Sequence, residues 1–443
     1  MSGAEGSLVP SLPASSRSAR ISLSSRAWVA CPTTLHVPAM IPQLLPSRAH
    51  FPADDRIFAL NAAAQRRAAE GASVINATVG ALLDDRGQLV VLESVMRVWG
   101  QLTPREVAPY APLGGDPAYL TALARRHWPS LSSAGVGVAT TGGSGALALS
   151  IRNLLQPGDA VLAAAPYWGP YATLAQENGV RLVTVPWPSG GEPLDLGRWE
   201  AAARDLMEAQ GRLLLWLNDP CHNPTGTSLS AGDRAGLLAM LRDLSAEGPV
   251  TLLLDLAYLD YARDPEAVDQ ALAEYAAFGA EGRVLVGAAL SLSKAFTLYG
   301  ARAGGLVFPW CSDGALQAAL VFSCRGTWSN CPRAPMHVLL RLVADADASA
   351  ALAAEHAYWR GELTRRAEAL SAALVAAGCA PAPWDGGFFV TLPARDPEAV
   401  AEALRARDIY VIPMAEGLRV GICGMRAEDT PRFAEGYAEA ISG

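Results

Sequence analysis

The sequence predicts an α/β fold on a mainly parallel sheet, with a smaller α+β region toward the C-terminus. Short, nearly continuous apolar runs recur at 160–164, 181–185, 212–217, 250–254, 283–289 and 304–308. Each has the length and composition of a strand covered on both faces. Amphipathic helical patterns separate several of them, as over 231–246 and 264–277, and strand–helix alternation of this kind builds parallel sheets. After Pro335 the pattern changes: 336–377 reads as almost wholly helical. Gly386-Gly387-Phe388-Phe389-Val390, a helix over 397–406 and a final strand at 418–423 follow. Sheets of this class bind ligands beyond the carboxyl ends of their strands, so the residues just after each run are the candidates for chemistry.

Length and composition bound the rest. The chain has 443 residues, 51% hydrophobic and 18% charged, ample for one large and one smaller domain. The expected division is an N-terminal extension over 1–45, a small domain from 46–88 and 355–443, and a large domain over 89–354. A net charge of −8 argues against nucleic acid or an anionic membrane as a partner. No stretch reaches the about 18 uninterrupted apolar residues of a spanning helix. The cysteines, Cys31, Cys221, Cys311, Cys324, Cys331, Cys379 and Cys423, show no C-x-x-C pair and no Cys/His metal spacing. That scattered, odd-numbered set points to a reducing compartment, hence a cytoplasmic protein without a metal. The Ser/Pro/Arg-rich first 45 residues read equally as a transit peptide, a disordered tail or a start assigned too early, with Met40 just before the regular pattern. The latter two are favoured, and no function is expected of this segment.

The strand ends carry the chemistry. Ser291-Leu292-Ser293-Lys294, with Arg302 eight residues beyond the lysine, follows an apolar run. Lysine is rare in interiors without a partner or a job. At a strand mouth between serines and an arginine, it points to an aldehyde held as a Schiff base. The aldehyde would be pyridoxal phosphate, with Lys294 bonded to it and Ser291 and Arg302 on its phosphate. A capping serine with a solvated Lys/Arg pair would read alike. Thr141-Gly142-Gly143-Ser144-Gly145-Ala146 opens a helix over 146–155, where glycine backbone and the Ser144 hydroxyl suit a phosphate; a glycine turn with a serine cap would look the same. In Asn218-Asp219-Pro220-Cys221-His222-Asn223-Pro224-Thr225-Gly226, Asn223 is placed to donate to the cofactor's phenolate oxygen, unless the run is a plain turn. His222 reads as structural, since no other ligands stand at metal spacing.

Asp255 ends the run 250–254, where a carboxylate is costly unless paired. Facing a pyridine nitrogen, it would keep that nitrogen protonated, and Tyr258 would share the phenolate with Asn223. Trp168, in Pro166-Tyr167-Trp168, would lie against one face of a planar ring, although tryptophan is more often core. Arg419 stands alone among apolar and small residues in Leu418-Arg419-Val420-Gly421-Ile422. Its partner is either an internal acid or the α-carboxylate of an amino acid.

In order, GG-S-G, P-x-W, N-P-T-G, D-x-A-Y, S-x-S-K with Arg302, and R-V resemble the fold type I pyridoxal-phosphate enzymes, the aspartate aminotransferase family of class I/II aminotransferases. The resemblance runs from about residue 56 to the end, and the ordered set is far more specific than any one motif. It implies the PLP-dependent transferase fold type I, with a large domain carrying the central sheet. It also implies a homodimer with shared sites. Cys-His-Asn-Pro-Thr-Gly and Phe296-x-Leu298-Tyr299-Gly300-x-Arg302-x-Gly304 resemble the aspartate/aromatic subgroup's versions, as does Val74-Ile75-Asn76 leading to Gly80. By that resemblance the Gly80 N–H touches the substrate carboxylate and Tyr110 reaches the neighbouring subunit's phosphate. Arg325 binds a distal carboxylate across the dimer, and Trp168, Asn223 and Arg419 also border the substrate. The implied reaction moves the α-amino group of an aromatic or dicarboxylic amino acid (Tyr, Phe, Asp, Glu) to a 2-oxo acid such as 2-oxoglutarate, with Lys294 as base and acid. Pro170, Tyr171, Cys331 and Thr78 depart from the family pattern around the rim. Alternatives on the same fold are a β-elimination lyase, a cyclopropane-forming synthase, and a non-enzymatic PLP-binding regulator.

Overall fold

Leucine, valine and alanine runs buried on both faces make most strands of the central sheet; the expected run 181–185 is the exception, since as the edge strand it buries only Val185. The computed structural model describes residues 43–48, 56–188 and 191–442; the first 42 residues, and with them most of the expected extension, lie outside the described residues. In chain order the strands are β1 (Ile75–Asn76), β2 (Val136–Thr140), β3 (Ala160–Ala165), β4 (Arg181–Pro186), β5 (Leu213–Leu217) and β6 (Val250–Asp255). They continue with β7 (Leu285–Ser291), β8 (Gly304–Phe308), β9 (Phe389–Leu392), β10 (Ile409–Tyr410), β11 (Ile412–Met414) and β12 (Gly417–Gly421). The seven-stranded sheet has the order β2-β8-β7-β6-β5-β3-β4. Only β8 runs against its neighbours; the β3–β4, β3–β5, β5–β6 and β6–β7 pairs are all parallel.

The period-2 alternation of a strand sorts its side chains into two hydrophobic layers. On β5, Leu213, Leu215 and Leu217 enter one layer while Leu214 and Trp216 enter the other. On β7, Val286, Ala288 and Leu290 take the first side and Ala289 the second. Helices cover the sheet, and several start where the sequence supplies caps. Ser230 accepts from Asp233 N at the head of Ala231–Leu244, and Asp264 accepts from Glu266 N and Ala267 N ahead of Pro265–Ala280. Such caps are worth about 1 kcal/mol each.

The helical stretch beyond Pro335 is two helices, Arg333–Ala344 and the 31-residue Ala346–Ala376, because Asp345 stops one and caps the next. Beyond it, β11-β12-β9 form a small antiparallel sheet, and β1 pairs in parallel with β10. β1 thus ties residues near 75 to the C-terminal region. The six apolar runs all became strands, within about two residues of the expected ends. β2 was not among them: with Gly137 and Ala139 in five residues it carries little apolar bulk, yet all five are buried. No helix of the described residues is long and apolar enough to cross a membrane. The six described cysteines are unpaired.

Candidate active site

Three adjacent parallel strands end together, and their last residues build the floor of the site. Asp255 is the last residue of β6 and Ser291 the last of β7, with Asp255 in register with Ala289. The loop after β5 lies alongside, and Asn218 stitches it down. Its Nδ2 donates to the Asp255 carbonyl at 2.6 Å and its Oδ1 accepts from Asn223 N at 2.6 Å. Asn223 Nδ2 in turn donates to the Tyr258 hydroxyl at 3.2 Å. Lys294 Nζ lies 5.6 Å from the centroid of the Tyr258 ring. Tyr261 OH donates to the Lys294 carbonyl at 3.0 Å, which fixes the short helix Leu292–Ala295 that carries the lysine. The sequence also contains no other lysine: Lys294 is the sole ε-amine of the chain.

Beside the lysine lies an anion cup. Helix Gly142–Leu154 starts four residues earlier than the sequence suggested, so Gly143 and Ser144 belong to its first turn, where backbone N–H groups have no helical partner. Gly142 has φ +73, and a Cβ there would sit 2.9 Å from Arg302 Nη2; glycine is required both for the turn and for the arginine's approach. A Cβ on Gly143 would lie 3.8 Å from that of Ser291. Arg302 donates to Ser293 Oγ at 3.3 Å, to the Tyr299 carbonyl at 2.9 Å and to the Thr141 carbonyl at 3.2 Å. Ser291 Oγ accepts from Ser293 N at 3.1 Å, so it caps the lysine helix as well as facing the cup.

At the other end, Arg419 on β12 is buried, donates to the Thr78 carbonyl at 2.8 Å and lies 4.5 Å from the centroid of the Phe389 ring. Gly80 meets the same ring: a Cβ there would be 3.3 Å from Phe389 Cζ. Tyr299 joins this region to the lysine loop by accepting from Leu82 N at 3.0 Å.

Burial sets the electrostatics. Asp255 is pushed up to about 6 by desolvation, against the Tyr171 hydrogen bond and the positive charge of Lys294. Desolvation lowers Lys294, Asp255 opposes that and Arg302 adds to it. Burial raises the Tyr258 phenol well above its ordinary value. The arrangement offers an amine that burial shifts toward its neutral, nucleophilic form and a buried carboxylate whose charge acts on it.

The residues fit pyridoxal phosphate. No group among the described residues donates to Asp255 Oδ1, and the buried Asn223 Oδ1 has no hydrogen-bond partner there. An amine, an anion cup and an open carboxylate oxygen are what that molecule's aldehyde, phosphate and ring nitrogen require. The fold thus brings together Lys294, Asp255, Tyr258, Asn223, Ser291, Arg302, Gly143 and Ser144, with Gly80 and Arg419 as a second group. Trp168 meets Tyr171 edge-on at 5.9 Å, and Tyr171 in turn bonds Asp255. Tyr110 is 87% exposed and Arg325 is exposed, its Nη1 donating to Ser329 Oγ at 2.6 Å. His222 is buried and stacks on Trp187 at 4.1 Å, as a structural histidine does. Among the described residues no group of three or more metal-ligating side chains occurs.

Sequence reasoning missed several participants, Tyr261 among them. Asn218 and Ser293 stood inside motifs quoted for their neighbours. Tyr171 was expected at the rim, as an aromatic departure from the family pattern, whereas it donates to Asp255 Oδ2 at 2.8 Å.

With this geometry, the comparisons with known proteins are specific. Residues 72–436 match the family Aminotransferase class I and II, and the chain belongs to that family, pyridoxal-phosphate-dependent transferases of fold type I. It is 27% identical over 383 residues to an aromatic-amino-acid aminotransferase of Pseudomonas aeruginosa, covering 82% of this chain and 91% of that protein. The crystal structure of an aminotransferase from Anaerococcus prevotii superposes with a TM-score of 0.84 at 27% identity, covering 91% of this chain and 100% of the other. An aromatic-amino-acid aminotransferase from Burkholderia pseudomallei, covalently bound to pyridoxal phosphate, shares the fold at a TM-score of 0.75 and 23% identity, over 89% of this chain and 99% of that one.

Proposed function

We propose that the protein transfers the α-amino group of an aromatic or dicarboxylic amino acid to a 2-oxo acid such as 2-oxoglutarate, with Lys294 holding pyridoxal phosphate. One observation carries this reading: the only lysine of the chain sits on the short helix that directly follows β7, where the charge of Asp255 acts on it and its Nζ lies 5.6 Å from the centroid of the Tyr258 ring. The bound cofactor supplies an electron sink for the bond that breaks at the substrate's Cα. Lys294 Nζ takes the proton from that carbon and returns one, and burial shifts the amine toward the neutral form that the task needs. Arg419 binds the α-carboxylate; its hydrogen bond to Thr78 and its seat on Phe389 fix the guanidinium in advance, which is an orientation effect. Asn223 and Tyr258 hold the cofactor's phenolate oxygen, and Ser144, Ser291 and Arg302 its phosphate. The names of the relatives support the aromatic and dicarboxylic range.

The active unit is a homodimer in which Tyr110 and Arg325 serve the neighbouring site. Their exposure supports this, as does that of Phe322, 80% exposed on the helix that carries Arg325. The division into a large domain over 89–354 and a small one from 46–88 and 355–443 is supported by the β1–β10 pairing. Unpaired cysteines support a cytoplasmic setting.

Single-turnover spectroscopy against a panel of amino acids tests the reaction. Conversion of the lysine-bound cofactor to its amine form, with release of keto acid, is the expected result. Accumulation of pyruvate and ammonia with the original band retained would make the enzyme a lyase instead.

A further inference from the structure

Asp255 does not stand alone at the end of β6. Tyr171, in helix Pro170–Glu177, donates its hydroxyl proton to Asp255 Oδ2 at 2.8 Å, and both residues are buried. The Tyr171 ring is held on three sides by aromatic neighbours. It stacks parallel to Tyr167 at 6.4 Å, meets Trp168 edge-on at 5.9 Å and meets Trp216 of β5 at 4.9 Å. A ring fixed by packing presents its hydroxyl in one place without further ordering cost. The direction of donation is fixed as well, because burial and the adjacent carboxylate raise the phenol well above its ordinary value and keep its proton in place. The other groups that act on Asp255 are Lys294, whose charge favours the carboxylate, and Asn218, which grips only the backbone carbonyl. Tyr171 is therefore the side chain that decides which carboxylate oxygen is engaged and which is left open.

We propose that Tyr171 is a positioning residue for Asp255: it holds Oδ2 and stabilises the ionised carboxylate, leaving Oδ1 for the protonated ring nitrogen of the cofactor. This rests on the reading that Asp255 faces that nitrogen. The phenol never touches cofactor or substrate in this account. It acts by keeping the carboxylate charged and turned, so its loss lets the ring nitrogen lose its proton while the anion cup and Lys294 stay in place.

The test is NMR of protein reconstituted with pyridoxal phosphate carrying an isotopically labelled ring nitrogen, for the parent, Tyr171→Phe and Asp255→Asn. Tyr171→Phe keeps the ring within its aromatic cage and removes only the donor. The expected result is a nitrogen resonance displaced toward unprotonated pyridine in both variants, with cofactor release about tenfold easier in Tyr171→Phe. A role in packing alone would leave the resonance where it is. If Asp255→Asn moves the resonance and Tyr171→Phe does not, the proposal fails and the reading of Asp255 stands. If neither variant moves it, the reading of Asp255 falls and the proposal falls with it.

Discussion

The ends of β5, β6 and β7 and the exposed helix Gly314–Thr327 contribute to the proposed site in opposite ways. At the strand ends every functional group is fixed by its own chain: Asn218 bridges Asp255 to Asn223, Tyr261 holds the lysine helix, and Arg302 is gripped by the Tyr299 and Thr141 carbonyls. On the helix, Arg325 is tied among the described residues only to Ser329, one turn away, and Tyr110, in the loop after the helix Pro104–Val107, is exposed. A reaction centre needs groups held to within fractions of an ångström, and buried strand ends provide that. A group that must accept both carboxylate and aromatic side chains is better left loosely tethered. The difference separates chemistry, set inside one chain, from selectivity, which in this account awaits a second copy.

Mutations should divide along the same line. Lys294→Ala should have the largest effect, lowering turnover about 10⁴-fold or more and abolishing the visible band of the lysine-bound cofactor; steady-state kinetics and absorbance check both. Retained turnover would remove Lys294 from the mechanism. Asp255→Asn should lower kcat by about 10²–10³-fold for every substrate, since it withdraws a charge the reaction always uses. Arg325→Leu, in contrast, should weaken aspartate and glutamate about 10- to 100-fold in kcat/KM and leave phenylalanine nearly unchanged. Equal losses on all three would place Arg325 outside the distal site.

Two smaller effects probe the floor without substrate. The folded, cofactor-free chain holds a proton on Asp255 up to about pH 6, whereas the unfolded chain releases it near 3.8. The native state therefore binds more protons in that window, and this group's contribution to stability falls as pH rises through it. Denaturant titrations of the cofactor-free protein should show the parent losing about 3 kcal/mol relative to Asp255→Asn between pH 4 and 6. Parallel profiles would mean that Asp255 is not desolvated. Asn218→Ala should cost about 1–3 kcal/mol at neutral pH by orphaning the Asp255 carbonyl and the Asn223 amide.

Much of this was legible in the sequence because each motif sits at the end of a run whose apolar composition announces a strand. Lys294, Asp255 and Asn223 needed only their position after β7, β6 and β5. The solitary status of Lys294 was also there to be counted. What could not be read were pairings between segments far apart in the chain. Tyr171 and Asp255 are 84 residues apart, and the bond between them follows from where Pro170–Glu177 packs. Thr78 offered only an unexpected residue type; its carbonyl, which every residue has, is what receives Arg419. β2 escaped notice because close approach to β8 favours small residues. A Cβ on Gly137 would lie 3.0 Å from the Leu306 carbonyl, so the strand lacks the bulk that marks its neighbours.

The central claim, that Lys294 anchors the cofactor, has a direct test in borohydride reduction of the protein reconstituted with pyridoxal phosphate, followed by peptide mass spectrometry. Because the chain has a single ε-amine, the account predicts one phosphopyridoxyl group, on the peptide containing Lys294, and none in Lys294→Ala. An unmodified Lys294 peptide, or a label retained on the Lys294→Ala protein, would contradict it.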